Sequence, residues 1–185
     1  STADIQKSIN KYRNLSISHK QLSRIKQYDH LIDYFTEFSY VAPRHKVSGD
    51  FVRALILAES NGKTNAVSHK NALGLGQIKY STGKEAAKIL SRSTVHFRYV
   101  DKSTLANLKR DDLFNPAVNI LLTCYLIAKY NHKFDGKLEL VLSAWNAGEY
   151  TPSLASNRHA PYQETENLIG KVNGYYLFFL KNRYY

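Results

Sequence analysis

The stretch from Phe51 to Ser60 reads FVRALILAES, and no other part of the sequence constrains the fold as strongly. A helix places residues four apart on one face, so Phe51, Leu55 and Glu59 are predicted to form a single stripe. If the Glu59 carboxyl faces the interior or the floor of a cleft, burial raises its pKa and makes it a candidate general acid. On this run alone the alternative is favoured, in which Glu59 turns out to solvent, because glutamate is mostly exposed in proteins.

The regions on both sides of this stretch are also predicted to be helical. Ser48 is a suitable N-cap for the Glu59 helix, and Gly62 follows its C-terminus. Apolar residues at helical spacing predict one amphipathic helix of about five turns over residues 22–35. Residues 61–83 are predicted to be loop-rich, and the region before Asp112 irregular. Further helices are predicted around Lys84–Leu90, from Asn115-Pro116 onward, over Leu138–Trp145 and from about Thr165 to Leu180. Long alternating patterns are missing, so we expect an all-α or nearly all-α fold.

The composition bounds the class of protein. A chain of 185 residues with 43% hydrophobic residues suits one domain with a small appendage, and no run approaches the roughly 18 apolar residues of a membrane span. The net charge of +11 favours a polyanionic partner, such as nucleic acid, an anionic lipid surface or an acidic cell wall. The Lys and Arg residues are scattered and match no zinc-finger or RNA-binding signature, so no nucleic-acid partner is expected.

The single cysteine, Cys124, excludes an intramolecular disulfide. It lies in a predicted core helix, where a buried, inert thiol is favoured over a nucleophile. The sequence predicts neither a cofactor nor a metal site. The chain begins at Ser1 and contains no methionine, so we expect that any leader is absent from this chain.

Four short segments carry polar residues that could form one site. They are Glu59-Ser60; Ala66-Val67-Ser68 with Ala72-Leu73-Gly74-Leu75-Gly76-Gln77-Ile78; Ala144-Trp145-Asn146-Ala147-Gly148; and Pro161-Tyr162-Gln163-Glu164-Thr165. Each segment alone has a structural explanation as a turn, a cap or a core position. In this order and at these spacings they resemble the family 1 lytic transglycosylases, which are bacterial enzymes of lysozyme-like fold that cleave peptidoglycan. The resemblance covers about residues 47–180.

The resemblance implies a lysozyme-like (goose-type-like) catalytic domain over residues 47–185, preceded by an N-terminal helical extension over residues 1–46. The apolar stripe of the extension needs a partner surface, so we expect it to pack on the catalytic domain. The resemblance also implies peptidoglycan glycan strands as the substrate and a location in the bacterial cell envelope, either periplasmic or associated with the cell wall. We expect a monomer, and a partner in an envelope or secretion machine stays open.

The resemblance also implies roles for individual residues. Glu59 is the catalytic residue. Ser68 would hydrogen-bond the acetamido group of the substrate or Glu59 itself, and Gln77 would orient the substrate in the cleft. Without the resemblance, ordinary hydrogen bonding within a loop would explain both of these side chains.

The two later segments supply the remaining roles. Asn146 would contact an N-acetyl group or the backbone, and Tyr162 would lie near Glu59 and the acetamido group. Glu164 would fix the supporting network, although an acid in the first turn of a helix is also favoured by the helix dipole. Trp145 is expected to fill the core next to Asn146 rather than to stack on a sugar, because it ends an apolar helix stripe.

The sequence departs from the family pattern at several positions. Gly76 stands where the family usually has Met, and Lys79-Tyr80 where it commonly has Met-Pro. The other departures are Thr123 for a frequent Gly, Trp145 for the usual Tyr, Glu166 for a common Arg, and Leu168-Ile169 for Tyr-Val. These changes leave the acid in place and bear on the geometry of the substrate subsites.

The spacing of the acids suggests a mechanism. No Asp or Glu lies between Glu59 and Glu85, so the closely following second carboxylate of many lysozymes is missing. The simplest consistent chemistry is substrate assistance, in which the 2-acetamido group attacks the anomeric carbon and Glu59 acts first as acid and then as base. A 1,6-anhydroMurNAc end is the product. A distant acid that the fold brings near Glu59 is not excluded by the sequence.

Three other functions stay open. A muramidase would use water and give a reducing end. A weakly active peptidoglycan-binding scaffold of an envelope machine is suggested by the departures at Gly76 and Glu166. A helical nucleic-acid binder rests on the net charge alone.

Overall fold

The computed structural model describes residues 2–43 and 45–182, and most of this part of the chain is helical. The helices and strands are α1 Thr2–Tyr12, α2 His19–Lys26, α3 Asp29–Phe35, α4 Gly49–Ser60, β1 Ala72–Leu73, β2 Ile78–Lys79, α5 Tyr80–Ser91, α6 Lys102–Ala106, α7 Pro116–Lys133, α8 Leu138–Ala147, α9 Pro152–Ala155 and α10 Gln163–Lys181. A 3₁₀ helix spans Arg110–Phe114. Strand structure in the described residues is limited to the antiparallel pair β1–β2, so the nearly all-α prediction is confirmed.

Local capping sets the ends of α4, the helix that contains Glu59. The Ser48 hydroxyl oxygen accepts a hydrogen bond from the backbone N–H of Phe51 at 3.3 Å, which confirms the predicted N-cap. At the other end Asn61 and Gly62 adopt left-handed φ angles of 55° and 77°, which stop the helix. Glu59 therefore lies in the last turn of α4, where the chain turns into the loop before β1.

The hydrophobic core is built around α7, which is buried along most of its length. It begins as predicted, because the Asn115 side chain caps it and Pro116 occupies the first helical position. Helices α3, α5 and α8 pack on its sides. Cys124 is buried in its middle with a free thiol, as predicted, and burial raises the pKa of that thiol. The thiol is therefore protonated and unreactive.

The N-terminal segment packs on the rest of the chain, as the apolar stripe predicted. Helix α1 lies against α10, and α2 and α3 contact α4. The approach of α1 to α10 is close: a Cβ atom at Gly174 would lie 2.3 Å from the backbone oxygen of Tyr12. The division into residues 1–46 and 47–185 stays a prediction, and parts of both ranges (Ser1, Arg44 and residues 183–185) lie outside the described residues.

The predicted single helix over residues 22–35 is wrong. The chain leaves helical geometry at Tyr28, where φ is −102° and ψ is 3°, and it forms α2 and α3 instead. After the break, α3 presents Asp29 and Asp33 to the buried guanidinium of Arg53 on α4, each with an N–O distance of 2.9 Å. The short interruption leaves the three- and four-residue apolar spacing intact, so periodicity did not reveal it.

Several short elements also differ from the sequence prediction. The hairpin β1–β2 lies inside the predicted loop-rich region, and α5 begins about one turn earlier than predicted. Helix α6 and the 3₁₀ helix occupy the stretch predicted to be irregular. Elements of two to five residues are too short for a periodic pattern to develop. Within the described residues, no helix is long and apolar enough to cross a membrane.

Candidate active site

The four segments singled out in the sequence meet at one cleft with a volume of about 300 Å³. They reach it from the end of α4, from the loop and hairpin that follow, from the end of α8 and from the first turn of α10. The predicted site residues that line the cleft are Glu59, Ser68, Gln77, Asn146 and Glu164. Residues up to about a hundred positions apart in sequence are therefore brought together around one opening.

The carboxyl of Glu59 is partly buried in this cleft. Burial raises its pKa to about 8, and the negative charge of Glu164 acts in the same direction. The nearby indole of Trp145 and the charge of Lys171 lower this pKa, but by less than burial raises it. The fully exposed position that the run alone favoured is therefore wrong, and Glu59 keeps its proton at neutral pH.

Glu164 is a second carboxylate in the cleft, and it is ionised. Its Oε2 accepts a hydrogen bond from Nζ of Lys70 at 3.1 Å, and its Oε1 accepts one from Nδ2 of Asn146 at 3.4 Å. The hydrogen bond from Lys70 is the main reason that the pKa of Glu164 lies below its usual range. Asn146 is held in turn by Thr165, whose hydroxyl donates to its Oδ1 at 2.6 Å. This network ties the loop after α4 to α8 and α10.

Ser68 and Gln77 brace the loop and the hairpin turn. The Ser68 hydroxyl oxygen accepts hydrogen bonds from the backbone N–H groups of Lys70 and Ala72 at 3.2 and 3.0 Å. Gln77 has a left-handed φ of 54°, and its Nε2 donates to two backbone carbonyls at 3.1 and 2.9 Å. Both amide hydrogens of Gln77 are therefore engaged, so Oε1 is the atom that it can offer to a ligand.

Asn119, which the sequence prediction missed, fixes the hairpin on α7. It is fully buried, and its Nδ2 donates to the carbonyls of Leu73 and Leu113 at 3.0 and 2.9 Å. Its Oδ1 accepts from the backbone N–H of Gly76 at 2.8 Å. A polar side chain among apolar residues in the first turn of a predicted core helix was the signal that could have found it, because buried amides need partners.

Three of the departures from the family pattern pack against one another. A Cβ atom at Gly76 would lie 2.4 Å from the hydroxyl oxygen of Thr123, so Thr123 fills the space that a side chain at position 76 would need. The indole N–H of Trp145 donates to the carbonyl of Gly76 at 3.0 Å. Its ring meets Tyr130 edge-on with centroids 6.2 Å apart. Trp145 therefore packs against the core, as expected, and on the hairpin, and it also lines the cleft.

A second charged cluster was not predicted as part of the site, and two of its members, Glu149 and Lys129, line the cleft. Glu149 is only 13% exposed, and its two carboxylate oxygens each lie 2.9 Å from a lysine Nζ, one from Lys129 and one from Lys133. Burial acts to raise the pKa of Glu149, but the two lysines outweigh it and hold that pKa below its usual range. The lysines are four residues apart on α7 and so share a face, but nothing in the sequence indicates their partner.

Two residues of the fourth segment lie apart from the others. Tyr162 precedes α10, is 53% exposed and is not part of the cleft lining, so its expected place near Glu59 stays a prediction. Oε2 of Glu166, one of the departures, lies 2.8 Å from Nε2 of His159, within hydrogen-bonding distance. Among residues 2–43 and 45–182, no group of three or more His, Cys, Asp or Glu side chains is placed to hold a metal ion.

Comparisons with known proteins identify the fold. The model of the Transglycosylase SLT domain family matches residues 38–167, which is more than half of the chain. The crystal structure of the 70 kDa soluble lytic transglycosylase from Escherichia coli has a TM-score of 0.60 and 20% identity, covering 85% of this chain and 27% of that one. An inactive mutant of lytic transglycosylase Slt from Pseudomonas aeruginosa has a TM-score of 0.59 and 19% identity, covering 89% of this chain and 24% of that one.

A third solved structure is the complex of the 70 kDa soluble lytic transglycosylase with bulgecin A. It has a TM-score of 0.59 and 19% identity, covering 85% of this chain and 27% of that one. The chain thus spans about a quarter of the length of the solved structures that it matches. At these identities the likeness shows a shared fold, and the predicted nearly all-α, lysozyme-like fold class is confirmed.

Proposed function

This chain belongs to the Transglycosylase SLT domain family, and from that membership we propose that it is a peptidoglycan lytic transglycosylase of the bacterial cell envelope. The observation that carries the proposal is the Glu59 carboxyl, which has a pKa raised to about 8 at a cleft lined by polar side chains. A carboxylic acid that is still protonated at neutral pH can donate its proton to a leaving group. The bond cleaved is the β-1,4 linkage between MurNAc and GlcNAc.

The reaction proceeds in two steps without water. First, Glu59 donates its proton to the glycosidic oxygen, the C1–O bond of MurNAc breaks, and the 2-acetamido carbonyl oxygen bonds to C1 to give an oxazolinium ion. Second, the Glu59 carboxylate removes the proton of the C6 hydroxyl, the C6 oxygen bonds to C1, and the bond from the carbonyl oxygen breaks. The product is a 1,6-anhydroMurNAc end, and Glu59 is protonated again.

Glu164 supports this chemistry as a fixed negative charge. Its oxygens are engaged by Lys70 and Asn146, which favours an electrostatic role over nucleophilic attack. A negative charge near Glu59 helps to keep that group protonated before the reaction. After the first step the same charge stabilises the positive oxazolinium ion.

The neighbouring polar groups can position the substrate. Ser68 accepts two backbone hydrogen bonds and still has its hydroxyl hydrogen to donate to the acetamido group. Asn146 donates one amide hydrogen to Glu164 and keeps a second for an N-acetyl carbonyl. Gln77 offers Oε1 to a hydroxyl or N–H group of the sugar. The net charge of +11 supports attraction to a wall polymer that carries carboxylates and phosphates.

Hydrolysis is the second candidate, and the position of Glu164 favours it. A muramidase needs a second carboxylate or a base for water, and Glu164 is near enough to Glu59 to raise its pKa. The scaffold alternative has less support than it had from the sequence. Thr123 accounts for Gly76 by packing, and His159 accounts for Glu166 by a contact at hydrogen-bonding distance, so neither departure indicates a damaged site.

Digestion of purified peptidoglycan tests the proposal. Wild type is expected to release muropeptides with 1,6-anhydro ends, and Glu59→Gln is expected to release almost none. Glu37→Gln removes an exposed carboxylate that does not line the cleft and is the matched control, so it should behave as wild type. Release of hydrated muropeptides alone would assign a muramidase, and binding without any cleavage by wild type would assign a scaffold.

A further inference from the structure

Tyr150 is an aromatic side chain that lines the cleft and is nevertheless 84% exposed. Tyrosine rings normally bury most of their apolar surface, so a ring presented to solvent at the wall of a cleft needs an explanation. No role for Tyr150 follows from the four sequence segments, because it lies beyond the glycine that ends the third one.

The backbone that carries Tyr150 is firmly held. Its preceding residue, Glu149, is fixed by the two lysine contacts at 2.9 Å. On the other side, the Thr151 hydroxyl lies 3.1 Å from the carbonyl oxygen of Ala147 and 2.8 Å from that of Gly148, within hydrogen-bonding distance of both. The Tyr150 ring is therefore exposed on a turn that the contacts of Glu149 and Thr151 hold in place.

A lysine orients the ring itself. Nζ of Lys133 lies 4.2 Å from the centroid of the Tyr150 ring, in the geometry of a cation–π contact, while it also pairs with Glu149. The contact restrains one face of the ring and leaves most of its surface open to the cleft and solvent. A restrained aromatic ring loses little conformational entropy when a ligand packs on it.

Two other aromatic side chains link Tyr150 to the acid through their contacts. Trp145 lies near Glu59, and its ring contacts Tyr130. Tyr130 in turn lies near Tyr150 and Glu149. These contacts run from Glu59 through Trp145 and Tyr130 to Tyr150, and all four side chains line the cleft.

We propose that Tyr150 stacks on a sugar ring of the glycan strand at a subsite remote from the bond that Glu59 cleaves. The inference rests on the proposed function, since it takes the same strand as the ligand. The C–H groups on one face of a pyranose ring form an apolar surface that packs on an aromatic ring, and the sugar hydroxyls remain in water. Tyr150 thereby sets how long a strand must be to bind well.

The test measures binding in a Glu59→Gln background, which prevents cleavage. The probe is a hexasaccharide of alternating GlcNAc and MurNAc, and its Kd is measured by calorimetry. Adding Tyr150→Ala is expected to weaken binding about tenfold, as the loss of one aromatic contact would. Adding Tyr150→Phe keeps the ring and should leave Kd within about twofold. Tyr99→Ala removes another exposed tyrosine, one that does not line the cleft, and should leave Kd unchanged.

A second measurement separates stacking from a loss of local structure. In the Glu59→Gln protein, the ring proton resonances of Tyr150 should shift when the hexasaccharide is added, and those of Tyr99 should not. Equal Kd values with and without Tyr150→Ala, or unshifted Tyr150 resonances, overturn the inference and leave the proposed function intact. Failure of the Glu59→Gln parent to bind the hexasaccharide at all contradicts the proposed function itself.

Discussion

Replacing Glu59 with Gln should stabilise the folded chain, and it should do so only above acidic pH. The pKa of Glu59 is about 8 in the folded chain, against about 4.3 for an ordinary glutamate. At pH values below the lower pKa, the carboxyl is protonated in both the folded and the unfolded chain, so it does not change the free energy of unfolding. Between the two values the unfolded chain ionises while the folded chain stays protonated, so stability falls by about 1.4 kcal/mol for each pH unit.

The difference between the two pKa values limits the loss of stability caused by Glu59 to about 5 kcal/mol at alkaline pH. Because the cleft is open to water, we expect a gain for Glu59→Gln of about 2–3 kcal/mol near pH 9 and almost none near pH 4. Glutamine has nearly the same shape and no charge, so the difference isolates the ionisation. The assay is urea unfolding of wild type and variant at both pH values.

Glu164→Gln is the control for this experiment, with the opposite expected sign. The pKa of Glu164 is lowered, chiefly by its hydrogen bond with Lys70. Its ionised form is therefore favoured by folding, and its removal should reduce stability at neutral pH and have no effect at low pH. If Glu59→Gln changes the free energy of unfolding equally near pH 4 and pH 9, the raised pKa of Glu59 is refuted.

Three further predictions concern the same cleft. Activity should fall as the pH rises past about 8, because the acid form of Glu59 is lost. Glu164→Gln should move this fall in activity to lower pH. If the fall occurs at the same pH in the variant, the charge of Glu164 does not act on Glu59. Gly76→Ala places a methyl group against Thr123 and should lower the free energy of unfolding, measured with urea, by about 1–3 kcal/mol. Adding Thr123→Gly should restore part of that loss, whereas additive effects would show that the two positions do not compete for space. Asn119→Leu leaves the backbone groups that Asn119 pairs without their partner, so it should lower the free energy of unfolding by about 3 kcal/mol or more. A loss under about 1 kcal/mol would mean that these hydrogen bonds do not hold the hairpin.

The helical architecture could be predicted from the sequence because its long elements carry strong local signals. The cap at Ser48 and the Asn115-Pro116 helix start were predicted at the residues where they occur. The break at Tyr28 could not be predicted, since its consequence is an ion pair between α3 and Arg53 on another helix. Such a contact forms only when the helices are packed, and periodicity along the chain carries no information about it.

The candidate site could likewise be predicted from the sequence only in part. Glu59, Ser68, Gln77 and Asn146 were found from the order of their motifs, and the structure brings them to one cleft. Their roles in catalysis stay predictions. The lysine contacts of Glu164 and Glu149 join residues far apart in sequence, and surface charges have no sequence pattern that names their partner. The sequence therefore indicated which residues gather, and the electrostatics became visible only in the fold.

No carboxylate follows Glu59 closely in the sequence, whereas in the fold Glu164 is near enough for its charge to act on Glu59. A second carboxylate near the acid makes the choice between transglycosylation and hydrolysis the central question about this cleft. Both reactions begin with the same proton transfer from Glu59, and they differ in whether the new bond at C1 comes from the C6 oxygen of the sugar or from water.

Digestion of peptidoglycan in water enriched in heavy oxygen distinguishes these two sources directly. The anhydro muropeptides released by wild type are expected to contain no heavy oxygen, because the C6 oxygen of the substrate closes the ring. Muropeptides with a heavy oxygen at C1 of MurNAc would contradict it and would assign water as the nucleophile.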